Sequence, residues 1–443
     1  MRKKQRLSQE LQPANVTRLS HDGRGIASIN GKVTFIRGAL AEEEVLFRYT
    51  RTKSQFDEGD VVDVVKASPN RVSPKCPHYS VCGACSWQHL DEKLQIHEKQ
   101  LLVLNLLERT GHVKPESILP PLTSNNWHYR TKARLSVRYV EKKGKTLVGF
   151  RERHNPRYIT EMNECPVLHE KVDARIMPLR RLMDALDAPA TIAQIEVAAG
   201  DDDVALIFRN LQALSDNDAA KLRQFGEESQ FILYLQPAGP DSITLFYPEE
   251  ASRYLHYQLP DETIVFQFLP TDFTQINMTL NRLMVRLALD LLELNSADTL
   301  LDLFCGLGNF SLPAARYCAQ VVGVEGSPDM VSRALMNAKN NQIANTTFYS
   351  ADLTQADIFT RLKNHQFTKL LLDPPRTGAF EIVNEIDKLS PQRIVYVSCN
   401  PATLARDADI LVNQFHYKLA KVGVMDMFPH TAHVESIALF VRD

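Results

Sequence analysis

The rhythm of apolar and polar positions changes three times along the chain. From about residue 9 to 70, short apolar stretches alternate with turn signals. Asp22-Gly23-Arg24-Gly25 and Asn30-Gly31-Lys32 flank strand-like runs such as Val33-Thr34-Phe35-Ile36 and Val45-Leu46-Phe47, and Asp60-Val61-Val62-Asp63-Val64-Val65 supplies another. This pattern predicts a small five-stranded OB-like barrel, a shape that often binds oligonucleotides. Residues 91–110 have the spacing of an amphipathic helix that ends at Gly111. From about 121 to 268 the chain is β-rich, with Val204-Ala205-Leu206-Ile207-Phe208 and Phe231-Ile232-Leu233-Tyr234-Leu235 as strands. From about 273 onward, apolar strands alternate with helical stretches, the signature of a doubly wound, Rossmann-like sheet. A multidomain α/β protein is expected, divided at 1–70, 71–270 and 271–443, with no internal repeat and no low-complexity segment.

Small and acidic residues stand where the apolar runs of the last section stop. Thr299-Leu300-Leu301-Asp302-Leu303 leads into Phe304-Cys305-Gly306-Leu307-Gly308, a Gly-x-Gly turn that lets backbone approach a ligand closely. Val321-Val322-Gly323-Val324 ends on Glu325, suited to accept hydrogen bonds from ribose hydroxyls. The next strand ends near Asp352, within reach of an adenine amine, and Lys369-Leu370-Leu371-Leu372 is followed by Asp373-Pro374-Pro375-Arg376, an acid in a rigid loop. Two glycines are too few for the pyrophosphate fingerprint, so S-adenosylmethionine is predicted over a dinucleotide. Ile394-Val395-Tyr396-Val397 ends in Ser398-Cys399-Asn400-Pro401. Open α/β sheets react at the carboxyl ends of their strands, and a thiol there is placed to act as a nucleophile. The ordinary alternative is a buried structural cysteine, a description that suits Cys305 in the glycine turn and Cys318 in a helical stretch.

Composition narrows the class. A chain of 443 residues, 44% hydrophobic and 23% charged, is long enough for two to four globular domains. No apolar stretch spans a bilayer, and the basic residues 1–6 lead into polar sequence instead of a signal core. A cytoplasmic location is therefore expected, with no membrane partner and, since nothing points to an assembly, a monomer. Reduced cysteines then read first as metal ligands, nucleophiles or core residues. A net charge of −2 gives no global mark of nucleic-acid binding, but charge is concentrated locally. Residues 128–157 contain His128, Arg130, Lys132, Arg134, Arg138, Lys142, Lys143, Lys145, Arg151, Arg153 and Arg157 against only Glu141 and Glu152. Trp127, Tyr129, Tyr139, Phe150 and Tyr158 are interleaved, so the patch predicts contact with phosphates and bases of RNA. Cys76, Cys82 and Cys85, with Cys165 as a distant fourth, suit a four-thiolate site for zinc or an iron–sulfur cluster. The triplet lacks the paired spacing usual for zinc, while His78 and His89 keep zinc open.

Together these residues resemble the RNA uracil-C5 methyltransferases that use S-adenosylmethionine, over nearly the whole chain. The most specific matches are Phe273-Thr274-Gln275-Ile276-Asn277, Asp373-Pro374-Pro375-Arg376, Ser398-Cys399-Asn400-Pro401 and Phe428-Pro429-His430-Thr431-Ala432-His433-Val434-Glu435. The likeness is strongest to the branch that acts on 23S ribosomal RNA at uracil 1939, and it implies that RNA as partner. It makes the barrel a TRAM domain and the last section a methyltransferase domain, and it makes Cys76, Cys82, Cys85 and Cys165 the ligands of a [4Fe–4S] cluster in the central domain. It implies Cys399 as the nucleophile that attacks C6 of uracil and Glu435 as the base that removes the C5 proton. Gln275, Phe304, Asn309, Glu325 and Asp352 are then expected to line the S-adenosylmethionine pocket, Phe304 and Asn309 partly through backbone atoms, with Asp373 touching cofactor or pyrimidine. The chain departs from the family at Ala84, usually glycine, and at Asp352, where relatives can carry asparagine. One methyl group is not expected to prevent ligation, and either residue at 352 accepts a hydrogen bond from adenine. Other readings fit less well. A radical enzyme would leave one iron open and needs no fourth cysteine, an amino-group methyltransferase would want an aromatic at Arg376, and a non-catalytic RNA-binding protein leaves Cys399 and Glu435 unexplained.

Overall fold

A computed structural model describes residues 10–355, 359, 362 and 365–442, so the basic residues 1–6 lie outside it. The first section forms one sheet of β1 (Gln12–Asn15), β2 (Arg18–Leu19), β3 (Gly25–Ile29), β4 (Lys32–Arg37), β5 (Glu44–Thr52) and β6 (Phe56–Lys66), in the order β1-β5-β6-β4-β3-β2. The expected five-stranded barrel is corrected on two points, since there are six strands and no ladder joins the two edges. The cause is a bend between β1 and β2. β1 pairs with β5 and β2 with β3, while Val16 and Thr17 between them donate to the carbonyls of Glu43 and Ile26, both at 2.9 Å. One bent segment therefore serves both edges, and the covalent chain closes the sheet. Val16, Ala27, Ile36, Val45 and Phe47 fill its interior.

The helix Glu92–Arg109 and the short strand β7 (Ser117–Ile118) follow, and both pack against the C-terminal section. Asp91 caps the helix by accepting a hydrogen bond from the Lys93 N–H at 3.0 Å. The central sheet contains β8 (Lys132–Val140), β9 (Lys145–Gly149), β10 (Ile192–Ala199), β11 (Val204–Asn210), β12 (Ile232–Leu235) and β13 (Thr244–Tyr247), ordered β13-β12-β11-β10-β8-β9. A hairpin of β14 (Leu255–Leu259) and β15 (Ile264–Phe268) leads into the last sheet.

That sheet is built from β16 (Thr299–Leu303), β17 (Gln320–Glu325), β18 (Thr346–Ser350), β19 (Lys369–Leu372), β20 (Arg393–Ser398), β21 (Lys418–Met425) and β22 (Glu435–Val441), with β7 at its edge. Its order is β18-β17-β16-β19-β20-β22-β21-β7, and β16 to β20 pair in parallel. Leu300, Leu301, Leu370, Leu371, Ile394 and Val395 are fully buried because both faces of the sheet are covered. Each contributes roughly 1.5–3 kcal/mol of burial. Among the described residues, no helix is long and apolar enough to cross a membrane.

The helix Glu92–Arg109 buries two polar side chains, Gln95 and Lys99. Lys99 Nζ lies 2.7 Å from Asp426 Oδ1 and donates to the Phe428 carbonyl at 3.0 Å, with the Lys99 and Asp426 side chains 0% and 3% exposed. Breaking a buried pair leaves one charge uncompensated, which costs about 3–5 kcal/mol. Lys99→Met is therefore expected to lower the melting temperature sharply. The double variant Lys99→Met with Asp426→Leu recovers most of it, as scanning calorimetry would register.

Candidate active site

All parallel strands of the last sheet end at one edge, and the antiparallel β22 begins there. A cavity of about 910 Å³ opens at that edge. Its walls include Gln275, Phe304, Gly306, Glu325, Asp352, Asp373, Arg376, Cys399, His433 and Glu435. The chain reverses direction across the sheet at β16, between β17 and β19, which is where doubly wound folds bind ligands.

The turn after β16 owes its shape to positive φ angles at Phe304 (67°), Gly306 (55°) and Gly308 (93°). Phe304 is held in this unfavourable region because its N–H and that of Cys305 both donate to the Val324 carbonyl, at 2.8 and 3.1 Å. Glu325, at the end of β17, is oriented by the backbone. Its carboxylate accepts from the Gly306 N–H at 3.2 Å and the Ser327 N–H at 2.9 Å. Asp352 is exposed at the rim, and hydrogen bonds from Thr354 and Gln355 hold its carboxyl below the usual range. Asn309 is the one expected pocket residue that is not on the wall. Its side chain bonds the Tyr257 hydroxyl at 2.8 Å and Asn281 at 2.9 and 3.0 Å, bracing the turn against neighbouring elements.

Register brings the reactive candidates together. β20 and β22 pair with Ser398 opposite Ser436, so the next position along the ladder sets Cys399 against Glu435. The Ser436 hydroxyl donates to the Ser398 carbonyl at 3.1 Å and fixes this pairing. Burial pushes the Cys399 thiol up to about 11, reinforced by Glu435 and Asp373 and opposed by Arg376. Glu435 is 4% exposed, and burial, with Asp373 adding to it, lifts its carboxyl well above the ordinary range. Burial also raises Asp373 to about 7, although part of its side chain opens onto the cavity.

Sequence reasoning quoted Arg376 and His433 inside motifs without assigning them a role. Arg376 Nη2 lies 3.3 Å from His433 Nδ1, and burial and the Arg376 charge keep His433 below its usual pKa. With Cys399, both residues also line a second cavity of about 730 Å³. That groove runs past Ala84 and Ser86 to His21 and Asp22 of the first sheet, along Leu102 and Leu106. Cys399 thus stands between a deep chamber and an open groove. The signal was proximity, since Arg376 follows Asp373 by three positions and His433 precedes Glu435 by two.

Cys76, Cys82, Cys85 and Cys165 are free thiols. Burial raises each of them, Cys85 to about 11, and they lie near enough to raise one another: Cys82 acts on Cys76 and Cys85, and Cys85 acts on Cys165. Among the described residues, no group of three or more His, Cys, Asp or Glu side chains is arranged to hold a single metal ion. The two histidines considered for zinc are engaged elsewhere. His78 accepts from the Asn163 N–H at 3.0 Å, and His89 bonds the Tyr79 hydroxyl at 2.6 Å. A Cβ at Gly83 would lie 2.9 Å from the Arg151 carbonyl, so position 83 itself requires glycine. Part of the basic patch is spent on partners within the protein. Lys132 is drawn in to the Asp272 carbonyl, Lys145 pairs with Glu161 at 2.6 Å, and Arg153 bonds the Cys82 and Cys85 carbonyls. Arg134, which pairs with Glu196 at 3.1 Å, stays exposed, as do Arg138, Lys142, Arg151 and Arg157.

A doubly wound sheet with a glycine turn, an acid closing the second strand and a chamber at the switch point defines an S-adenosylmethionine-dependent methyltransferase. The family described as tRNA (Uracil-5-)-methyltransferase matches residues 91–443, and the TRAM domain matches residues 5–62. The chain is 58% identical over 443 residues to the 23S rRNA (uracil(1939)-C(5))-methyltransferase of Legionella pneumophila (strain Corby), covering 100% of both chains. It is 49% identical over 442 residues to the enzyme of the same name in Francisella tularensis subsp. novicida, covering 99% of this chain and 98% of that one. Its fold is shared with Pyrococcus abyssi tRNA (uracil-54, C5)-methyltransferase, solved with S-adenosyl-L-homocysteine. There the TM-score is 0.74 at 22% identity, over 97% of this chain and 100% of that one. The chain belongs to the RNA uracil-C5 methyltransferase family and is an S-adenosylmethionine-dependent enzyme of that family.

A thiol raised to about 11 is mostly protonated at neutral pH, and its thiolate fraction climbs about tenfold per pH unit below that value. In RNA-free protein, iodoacetamide labelling of Cys399, followed by peptide mass spectrometry, is expected to accelerate about tenfold per unit between roughly pH 7 and 9. A rate independent of pH would show a thiolate already formed.

Proposed function

We propose that this enzyme methylates C5 of uracil 1939 in 23S ribosomal RNA through a covalent adduct on Cys399. The observation that carries the reading is the pairing of Cys399 with Glu435 at the boundary of chamber and groove. The names of its full-length relatives support the RNA and the position.

C5 of uracil is too weak a nucleophile to take a methyl group unaided. The Cys399 thiol gives its proton to solvent at the groove and its sulfur bonds to C6, pushing the C5–C6 electron pair into an enolate. C5 then attacks the methyl group of the cofactor, which leaves as S-adenosylhomocysteine. Glu435 takes the C5 proton, the C6–sulfur bond breaks and the thiolate is restored. A carboxylate whose proton affinity is raised by burial is a stronger base for this step than a surface one. Gln275, Phe304, Glu325 and Asp352 hold the cofactor in the chamber, and Asp373 meets either the cofactor or the base. The target uracil enters by the groove, flipped out of its RNA segment.

Cys76, Cys82, Cys85 and Cys165 are the residues that would hold a [4Fe–4S] cluster, a reading supported by four free thiols of which Cys76 and Cys85 lie near enough to act on Cys165. A bound cluster would tie residues 76–85 to residue 165. Methyl transfer does not pass through it.

Cys399→Ala is expected to abolish methylation while leaving RNA binding intact, and undiminished turnover would refute the nucleophile. Glu435→Gln is expected to methylate its RNA once and then stall, so that an adduct with ordinary uracil accumulates on denaturing gels. Wild-type protein should trap 5-fluorouracil RNA in the same way, because no C5 proton can leave. Mass spectrometry of ribosomal RNA from a deletion strain is expected to show the methyl group missing at uracil 1939 alone.

A further inference from the structure

The residues after Cys85 are tied directly to the loop joining β21 to β22. The N–H groups of Ser86 and Trp87 both donate to the His430 carbonyl at 2.9 Å, and Ser86 Oγ accepts from the Ala432 N–H at 3.1 Å. Gln95 completes the tie. Its side chain is buried, and its amide nitrogen donates to the carbonyls of Trp87 at 3.1 Å and Leu90 at 2.9 Å. Its amide oxygen accepts from the His430 N–H at 2.8 Å. Its amide nitrogen also lies 3.3 Å from His430 Nδ1, so one side chain bonds both the stretch that follows Cys85 and the catalytic loop. Leu40, Trp87 and Leu90 pack against Ala432 beside the junction, and Gln95 is 1% exposed, so losing its partners leaves buried polar groups unsatisfied. The loop carries His433 on the cavity wall and runs into Glu435. Phe304, Glu325 and Asp352 stand on the other side of the chamber and share no hydrogen bond with Gln95.

We propose that Gln95 is a positioning residue for methyl transfer, coupling the segment that holds the four-cysteine site to the loop that ends on Glu435. Metal site and catalytic loop then order as one unit, while the cofactor chamber is left largely unaffected. The inference rests on the roles given above to Cys399, Glu435 and the four cysteines.

Hydrogen–deuterium exchange on the full-length, iron-loaded protein tests it. Gln95→Met keeps the volume and loses the hydrogen bonds. In that variant the amides of residues 428–434 are expected to exchange about tenfold faster or more. Turnover should fall by about tenfold, with S-adenosylhomocysteine affinity within about twofold of wild type. Gln95→Glu keeps the acceptor for His430 and is expected to recover part of the turnover. Oxidative removal of iron should loosen residues 428–434 in wild type and add little in Gln95→Met. Unchanged exchange in Gln95→Met, iron loss that leaves the loop protected, or equal losses of cofactor affinity and turnover would overturn the proposal. Preparations that never contain iron would remove the metal half of the coupling, and an absent 5-fluorouracil adduct in wild type would instead overturn the Cys399 assignment. The exchange result is read independently of that adduct.

Discussion

β22 runs against β20 with Ser398 opposite Ser436, and this register governs the chemistry at the sheet edge. Residues directly opposite on an antiparallel pair point to the same face. The first residue of β22 and the first residue after β20 therefore share one spot, and those residues are Glu435 and Cys399. A slip of one position would turn Glu435 to the other face and separate the acid from the thiol. The parallel strands β16 to β19 deliver the glycine turn, Glu325 and Asp373 to the same edge. One chamber can then hold a methyl donor beside a reacting base.

Burial gives this edge its electrostatic character. Cys399, Asp373 and Glu435 are all pushed toward their neutral forms by burial, and the Asp373 carboxylate adds to the effect at both Cys399 and Glu435. Arg376 is the positive charge that moderates the cluster, acting on both Cys399 and Glu435. Asp302, fully buried below the glycine turn and bonded to Ser311, is raised to about 7 for the same reason but lies off the wall. Raised proton affinity suits Glu435 to the removal of a proton from carbon, while at Cys399 the Arg376 charge works against it and favours the thiolate.

The strand-end residues were readable in the sequence because apolar runs in a parallel sheet stop abruptly where ligands begin. Glu325, Asp373 and Cys399 each follow four or more strand residues. Other features depend on long-range packing that no local pattern encodes. The sequence placed the helix at 91–110, but not its contact with the helix Pro401–Asp409, and not the turning of Gln95 and Lys99 inward. The bend at Val16 and Thr17, which converts a five-stranded expectation into six strands, leaves no glycine or proline signal. Lys132 and Arg153 read as solvent-facing charges until their partners Asp272 and Cys85, distant in sequence, are known. Asn309 follows the glycine turn as a pocket residue would, yet its side chain is taken up by Asn281 and Tyr257, both distant in sequence.

The central claim is that Cys399 and Glu435 act on one base from adjoining positions. A crystal structure of the enzyme trapped on 5-fluorouracil RNA after methyl transfer tests this most directly. The account predicts a bond from Cys399 Sγ to C6 of the base, with C5 facing the Glu435 carboxyl and S-adenosylhomocysteine in the chamber between Phe304 and Glu325. A base bonded through another residue, or a C5 atom turned away from Glu435, would contradict it.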